Sequence, residues 1–480
     1  MKKTNEKKAL VLSAVAIITL IAVVIGATYA YFQAQGGGSA NTNVNVQTAT
    51  TDNLSFQTGE SINLTANQED FGQGAGNKSG STTASATLTA NNATNNATRN
   101  YYIYLDITSN NFVYTTDDYQ AELLLKVTGP EGEVTTIEGL TSTTSGGVTG
   151  FDITSYDRLI AIADNYEIAS TGTTTQNWTV EVIFVNLDSD QNANTGKTFN
   201  ANLIIQEEEI TTNYLSDYII NEVYAGVEGS SGIYYHDGVG EYTNADQEAG
   251  DNSYRYSGAN PNNYVCFGSN EETCSEDNLY RIIGIFDDDN NGTYQAKLIK
   301  STSYGNYAWD TDSNTWDATT KPDIYTTLNE TYYSSLSLAW QNLIVEAKWQ
   351  VGGMTWSETN TAKQYYNVEV GTGQSGYEET MKIGLMYVSD YGYSTDFINW
   401  DVPLSNNSEN NWLHLGYIEW TISHYLNNAT SVFHIHTYGY IGGRYAVNAA
   451  AIRPSFYLTS SAEISSGTGT SSDPFILLTN

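Results

Sequence analysis

Hydrophobic and polar positions alternate along most of this chain with the period of a β-strand. In the first 206 residues, Leu54-Ser55-Phe56 and the stretches 84–88, 101–107, 123–127, 178–184 and 201–206 read as strands. The turns between them are rich in Asn, Gly and Asp, as in Gly129-Pro130-Glu131-Gly132. Short strands without long helices predict a β-sandwich of jelly-roll type over residues 42–206. The pattern changes at residues 213–227, where Leu215, Ile219, Ile220, Val223 and Val227 fall at helical spacing and predict a short amphipathic helix. Beyond it, 280–286 and 294–300 predict a hairpin, and residues 328–349 carry helical patterning. Residues 383–388 predict a buried strand and 475–478 a closing one. Trp420 and Ile422 alternate with polar neighbours, and Phe456 and Leu458 repeat at period two, so both sites predict half-buried strands.

The fold class expected from these elements is mainly β, with an α+β C-terminal domain. Residues 1–32 form a signal peptide or anchor, 33–41 a Gly/Ser/Asn-rich flexible linker and 42–206 the β domain. An acidic linker at 207–213 leads to a second domain over 214–480. Eight of the nine tryptophans fall in the second domain, so the two cores differ chemically.

Composition narrows the function. The net charge is −35, from 54 acidic and 19 basic residues. A nucleic-acid partner needs a basic footprint, and this chain has none. The basic residues that do cluster are Lys2, Lys3, Lys7 and Lys8, ahead of an apolar run over 9–32 long enough to span a bilayer. That flank holds the N-terminus in the cytoplasm and places the rest of the chain outside, either secreted or on the outer face of the membrane. Thr28-Tyr29-Ala30 offers a signal-peptidase site, and both cleavage and retention as an anchor fit the segment. On the oxidising side of a membrane, Cys266 and Cys274 are most simply a disulfide, with free thiols or a metal site as alternatives.

The stretch between Trp420 and Leu458 has a character of its own. Tyr425, Phe433, His434, His436, Tyr438, Tyr440, Arg444, Tyr445 and Asn448 supply aromatic and hydrogen-bonding groups, and Gly439, Gly442 and Gly443 permit tight turns. Tyr, Gly, Ser and Asn make recognition surfaces because aromatics give contact area at low entropic cost. These nine residues are the candidate ligand-binding set, held between two scaffold strands; the alternative is an ordinary aromatic-rich hairpin. His434 and His436 would share a strand face and could chelate a metal, given a third ligand. Asp287-x-Asp289-x-Asn291-Gly292 matches the first half of a calcium loop, but the position that should supply the bidentate Glu is Leu298, so a solvated turn fits as well. Asp188 and Asp190 give a similar, weaker hint. No nucleophile elbow, phosphate loop, dinucleotide fingerprint or His-Glu-x-x-His motif occurs, so no catalytic residue is assigned.

Two resemblances sharpen these expectations. Gly26-Ala27-Thr28-Tyr29-Ala30-Tyr31-Phe32, the turn Phe184-Val185-Asn186-Leu187-Asp188-Ser189-Asp190-Gln191-Asn192, and the passage around Ala97-Thr98-Arg99-Asn100-Tyr101 resemble the camelysin and TasA-type biofilm fibre family. That resemblance covers residues 1–206 and implies export and a β fold. It does not carry proteolysis, because residues 1–206 contain no histidine. It also gives an alternative role, a fibre subunit assembled through the N-terminal β domain. The second half resembles bacterial C-type-lectin-like domains. The marks are Tyr280-Arg281-Ile282-Ile283, Leu328-Asn329 with Tyr332-Tyr333, Asn411-Trp412-Leu413, Trp420-Thr421-Ile422-Ser423, Ile452-Arg453-Pro454-Ser455-Phe456-Tyr457-Leu458, and Gly467-Thr468-Gly469-Thr470 with Asp473-Pro474-Phe475. It implies cell-surface adhesion or binding of an extracellular protein or glycan. Some relatives of this fold are variable proteins of diversity-generating retroelements, which would place variable positions between His424 and Ala451. Residues 421–462 contain no Lys, Glu, Gln, Met or Trp, as randomised AAY codons require, but residues 79–119 lack them too. Enzymes on this fold act through cysteines near the ligand site, and Cys266 and Cys274 fall in an early loop instead.

Overall fold

The computed structural model describes residues 52–71, 74–90, 96–116, 118–236, 252–269, 273–287, 293–370, 377–404 and 410–479, and the backbone of 44–46. The N-terminal apolar segment and its linker lie outside these residues, as do Asp289 and Asn291. No helix among the described residues is long and apolar enough to cross a membrane. The chain divides into two compact units, Met1–Ile210 and Thr211–Asn480.

The first unit is built from two antiparallel sheets. One runs Val44–Val46, Asn53–Thr58, Lys78–Thr89, Thr173–Phe184, Leu123–Gly129, Val148–Asp152 and Ser142–Ser145, with Gly132–Glu133 attached to Leu123–Gly129. The other runs Ile160–Ser170, Ala97–Asn110, Thr198–Gln206 and Ile62–Thr65. Their inner faces share one core that includes Phe56, Leu88, Tyr101, Leu125, Trp178, Val180 and Phe199. The Trp178 indole donates to Tyr101 Oη at 2.9 Å, which meets the need of a buried indole N–H for a partner. The strand Ile160–Ser170 is not visible in the alternation, because bulges between Ala161 and Tyr166 interrupt its register. The turn after Phe184 is pinned from inside. The fully buried Glu122 carboxylate accepts from Gln191 and Asn194, and the Gln191 side chain accepts the Leu187 N–H. Asp188 and Asp190 accept backbone N–H groups of Gly74 and Asn192, as turn residues do.

The second unit opens on the expected helix, shorter than its apolar pattern. An α-turn over Leu215–Tyr218 widens into a π-helix over Ile219–Tyr224, and Ala225 ends it in the left-handed region at φ 50°. Leu215 and Ile219 are buried, while Val227 lies beyond the helix and is exposed. Tyr214 bridges Glu463, so the beginning of the unit is stitched to a segment near its end. The larger sheet centres on the hairpin Leu279–Phe286 and Gln295–Lys300, with a bulge between Ile282 and Gly284. Two short strands, Ser253–Tyr256 and Tyr264–Cys266, pair with different parts of Leu279–Phe286. Tyr264–Cys266 in turn pairs in parallel with Phe475–Leu477. Cys266 and Cys274 form a disulfide.

Three elements differ from the sequence pattern. Residues 328–349 are not one helix: helical structure covers Asp323–Thr326, Thr327–Tyr332, Tyr333–Ser335 and Leu338–Asn342, and Ala347–Gln350 is a strand. Residues 383–388 are buried but form no ladder; only Gly384 bridges Ser455, and a helix begins at Val388. Residues 452–458 do not form a single strand. Ala450–Ile452 pairs with Gly305–Tyr307 in one sheet, and Ser455–Tyr457 pairs with Gln295–Lys300 in the other. Arg453-Pro454 is where the chain changes sheets, and proline cannot continue a ladder as a donor.

Two sets of buried charges in this unit are ion-paired. Asp390 accepts from Lys297 at 2.7 Å and faces Arg255 at 3.5 Å, all three nearly inaccessible. The Lys297 ammonium lies over the rings of Tyr387, Trp349 and Tyr457. Arg453 donates to Glu419 at 2.6 Å and to the Leu413 carbonyl at 2.7 Å.

Candidate functional site

The aromatic stretch folds into a five-stranded sheet in the order Gly305–Tyr307, Ala450–Ile452, Glu419–His424, Ser431–Ile435, Ile441–Tyr445. Glu419–His424 is buried along its whole length, not half-buried. Three of its polar positions, Glu419, Thr421 and Ser423, find a partner inside, while the His424 Nδ1 is buried without one. Glu419 meets Arg453, Thr421 donates to the Phe433 carbonyl, and Ser423 donates to the buried Glu369 carboxylate. Glu369 also accepts the N–H groups of Val388 and Ser389, which begin the next helix.

Ser431–Ile435 and Ile441–Tyr445 form a hairpin in the register Val432 to Arg444 and His434 to Gly442. Burial along it falls outward, and this separates the nine candidates into three groups. Phe433 is 0% and His434 5% exposed, so both belong to the scaffold and not to a contact surface. They sit on an inner strand with neighbours on both sides. Burial pushes the His434 imidazole down to about 4, Arg444 and His436 add to this, and a backbone hydrogen bond with Gly442 opposes it. His424 is held down to about 4 by burial alone. No group of three possible metal ligands occurs among the described residues, so the third ligand that a His434–His436 site requires is not found there.

The second group sits at the hairpin turn. His436 stacks on Tyr440 with centroids 4.3 Å apart, and its Nδ1 accepts the Tyr438 N–H at 3.3 Å. Tyr438 is 75% exposed. The turn is anchored from beneath by Tyr391, whose hydroxyl donates to the Gly439 carbonyl at 2.7 Å.

The third group lines an open cleft of about 520 Å³. Tyr425, Arg444, Tyr445 and Asn448 meet there with Trp356, Asn428, Ser431 and Gly443. The Tyr425 ring stacks on Phe433 at 4.0 Å, which joins the cleft to the core. Gly443 permits this, because a Cβ there would lie 2.9 Å from Tyr425 Oη. Arg444 donates to the Ala449 carbonyl at 3.0 Å. Asn314 fixes the cleft's floor: its amide donates to the carbonyls of Tyr425, Asn428 and Ser431. Trp356, Asn428, Ser431 and Asn314 were not among the sequence candidates. Asn314 and Trp356 lie more than sixty residues upstream, and no local pattern links them to the hairpin.

Asp287 is described, but the rest of its turn through Gly292 is not. Leu298, where a calcium loop needs its bidentate carboxylate, is fully buried opposite Ile282 and Phe456. Compared with known proteins, the chain matches no family, no curated protein and no solved structure.

Proposed function

We propose that this is an extracellular or cell-surface ligand-binding protein, used for adhesion, in which a jelly-roll-like sandwich precedes a C-type-lectin-like domain. The cleft of the second unit takes an extracellular protein or glycan. One observation carries the reading: an open cleft where three aromatic side chains, one guanidinium, two amides and a hydroxyl meet, backed by a fully buried strand. Aromatic faces with a few polar groups around them are what binding surfaces use. The lectin-like assignment is supported by the quoted motifs and by the pairing of the unit's beginning with a segment near its end. Export is supported by the lysine-flanked apolar segment, with the disulfide in agreement. The retuning of residues 424–451 rests on resemblance alone.

The test is a screen of the full chain against arrays of glycans and extracellular proteins, repeated with Trp356→Ala/Tyr445→Ala. A signal that disappears in the double variant, with thermal unfolding unchanged, is the expected result. Signals indifferent to the double variant would overturn the cleft as the binding site.

A further inference from the structure

Ile441–Tyr445 is the last strand of its sheet among the described residues. Its free edge can be worked out residue by residue. The His436 N–H donates to the Tyr440 carbonyl, and the Ala446 N–H donates to the Thr430 carbonyl. Hydrogen-bonded pairs alternate with non-bonded ones along an antiparallel ladder. The register therefore makes His434 with Gly442, and Val432 with Arg444, the bonded pairs. The N–H and C=O groups of Ile441 and Gly443, and the N–H of Tyr445, point away from the sheet; the Tyr445 carbonyl is taken by Asn448. Gly442 and Gly443 leave the middle of this edge without side chains to screen it. Proteins usually blunt such an edge with lysine, proline or a covering segment.

The cleft lies along this edge. Gly443, Arg444 and Tyr445 all line it, although consecutive strand residues point to opposite faces. Arg444 bonds the Ala449 carbonyl and has no carboxylate partner among the described residues, where its Nε is also shielded and unpaired. None of the lining residues is acidic. Arg255, Lys297, Lys321, Lys348, Lys363 and Arg453 of this unit face carboxylates, while Arg281 is buried and spends its guanidinium on Asn263 and on the Pro261 and Trp412 carbonyls. Arg444 differs from Arg281 in being partly exposed and in lining an open cleft, where a guanidinium can meet a carboxylate brought from outside.

We propose that an acidic peptide segment of another protein binds here in extended form. It would add a sixth strand along Ile441–Tyr445, with a carboxylate paired to Arg444 and apolar side chains against Tyr445 and Trp356. The proposal rests on the ligand-binding reading above and names the class of ligand. A second copy of this chain is the competing occupant.

The test is a selection of random twelve-residue displayed peptides on the immobilised full chain, followed by titration of the selected peptides. The proposal expects peptides enriched in Asp and Glu, depleted in Pro, and protecting the Gly443 and Tyr445 amides from hydrogen exchange. Tyr445→Pro, which removes an outward N–H and no ladder bond, and Arg444→Glu should each weaken binding at least about tenfold, about 1.4 kcal/mol. Arg444→Gln serves if Arg444→Glu unfolds. Neutral or basic selected peptides, indifference to these variants, or a selection yielding nothing would overturn it. So would a concentration-dependent dimer of the full chain abolished by Tyr445→Pro. Loss of array signals in Trp356→Ala/Tyr445→Ala but not in Arg444→Glu or Tyr445→Pro would retain the cleft and reject the added strand.

Discussion

Single side chains of one chemical type have divided between two tasks. Phe433 and Tyr445 look alike in the sequence, as aromatics in a Gly- and Tyr-rich passage. Phe433 is fully buried because its strand is inner, whereas Tyr445 is 60% exposed because its strand is last. Strand order is a long-range property, so local pattern cannot separate them. Asn314 shows the same limit: a side chain more than a hundred residues away reaches three carbonyls of this loop, adding to the backbone N–H that each already accepts. Replacing it with Ala should cost about 1–2 kcal/mol, because the loop loses the hydrogen bonds of a buried amide while its carbonyls keep their backbone donors, and should loosen residues 425–431. Denaturant unfolding and hydrogen exchange of that loop check both parts. His424 and His434 give the acid dependence a sign. Their imidazoles are held down to about 4 in the folded state from an ordinary value of 6.5. The unfolded chain therefore binds more protons between those values, and stability falls as pH drops from about 6.5 toward 4. Each histidine contributes at most about 3 kcal/mol to that loss. Buried Glu369, whose carboxyl is pushed up by burial, has the opposite slope. The useful measurement is therefore the difference between the native chain and His434→Asn across that window. An identical pH slope in both would contradict the assignment.

Elements were legible where their apolar pattern was local. The hairpin of Leu279–Phe286 with Gln295–Lys300, the strand Phe475–Leu477 and most strands of the first unit follow from period-two runs. Residues 383–388 misled because a fully apolar buried segment has no period that distinguishes strand from extended coil. The motif around Arg453 misled for a different reason. A proline and a buried arginine divide a continuous-looking run between two sheets, and Arg453 spends its guanidinium on Glu419 and Leu413. Removing one partner leaves a buried charge alone, so Glu419→Ala should cost about 3–5 kcal/mol. Replacing both partners by apolar residues of similar volume should cost much less, a contrast that a double-mutant cycle measures directly. The disulfide closes a short loop beside the strand Tyr264–Cys266, and replacing both cysteines with serine should remove about 2–3 kcal/mol.

At the scale of the molecule, the two units have separate cores, one centred on Trp178 and Tyr101, the other holding most of the tryptophans. Calorimetry should therefore show two unfolding transitions, and only the second should move with Trp420→Ala. The sequence carried the β-rich class and the candidate stretch. It did not carry the cleft, whose lining comes from residues 356 to 448 and is assembled only by the sheet. The central claim is that scaffold and contact surface are separable within residues 356–458. The most direct measurement compares thermal unfolding and ligand binding for two pairs of variants. Trp420→Ala and Phe456→Ala should lower stability by about 3–5 kcal/mol. Trp356→Ala and Tyr445→Ala should leave stability within about 1 kcal/mol of the native chain and abolish binding of the ligand identified in the array screen. Stability lost in both pairs alike, with binding unaffected by Trp356→Ala and Tyr445→Ala, would show the stretch to be core and contradict the account.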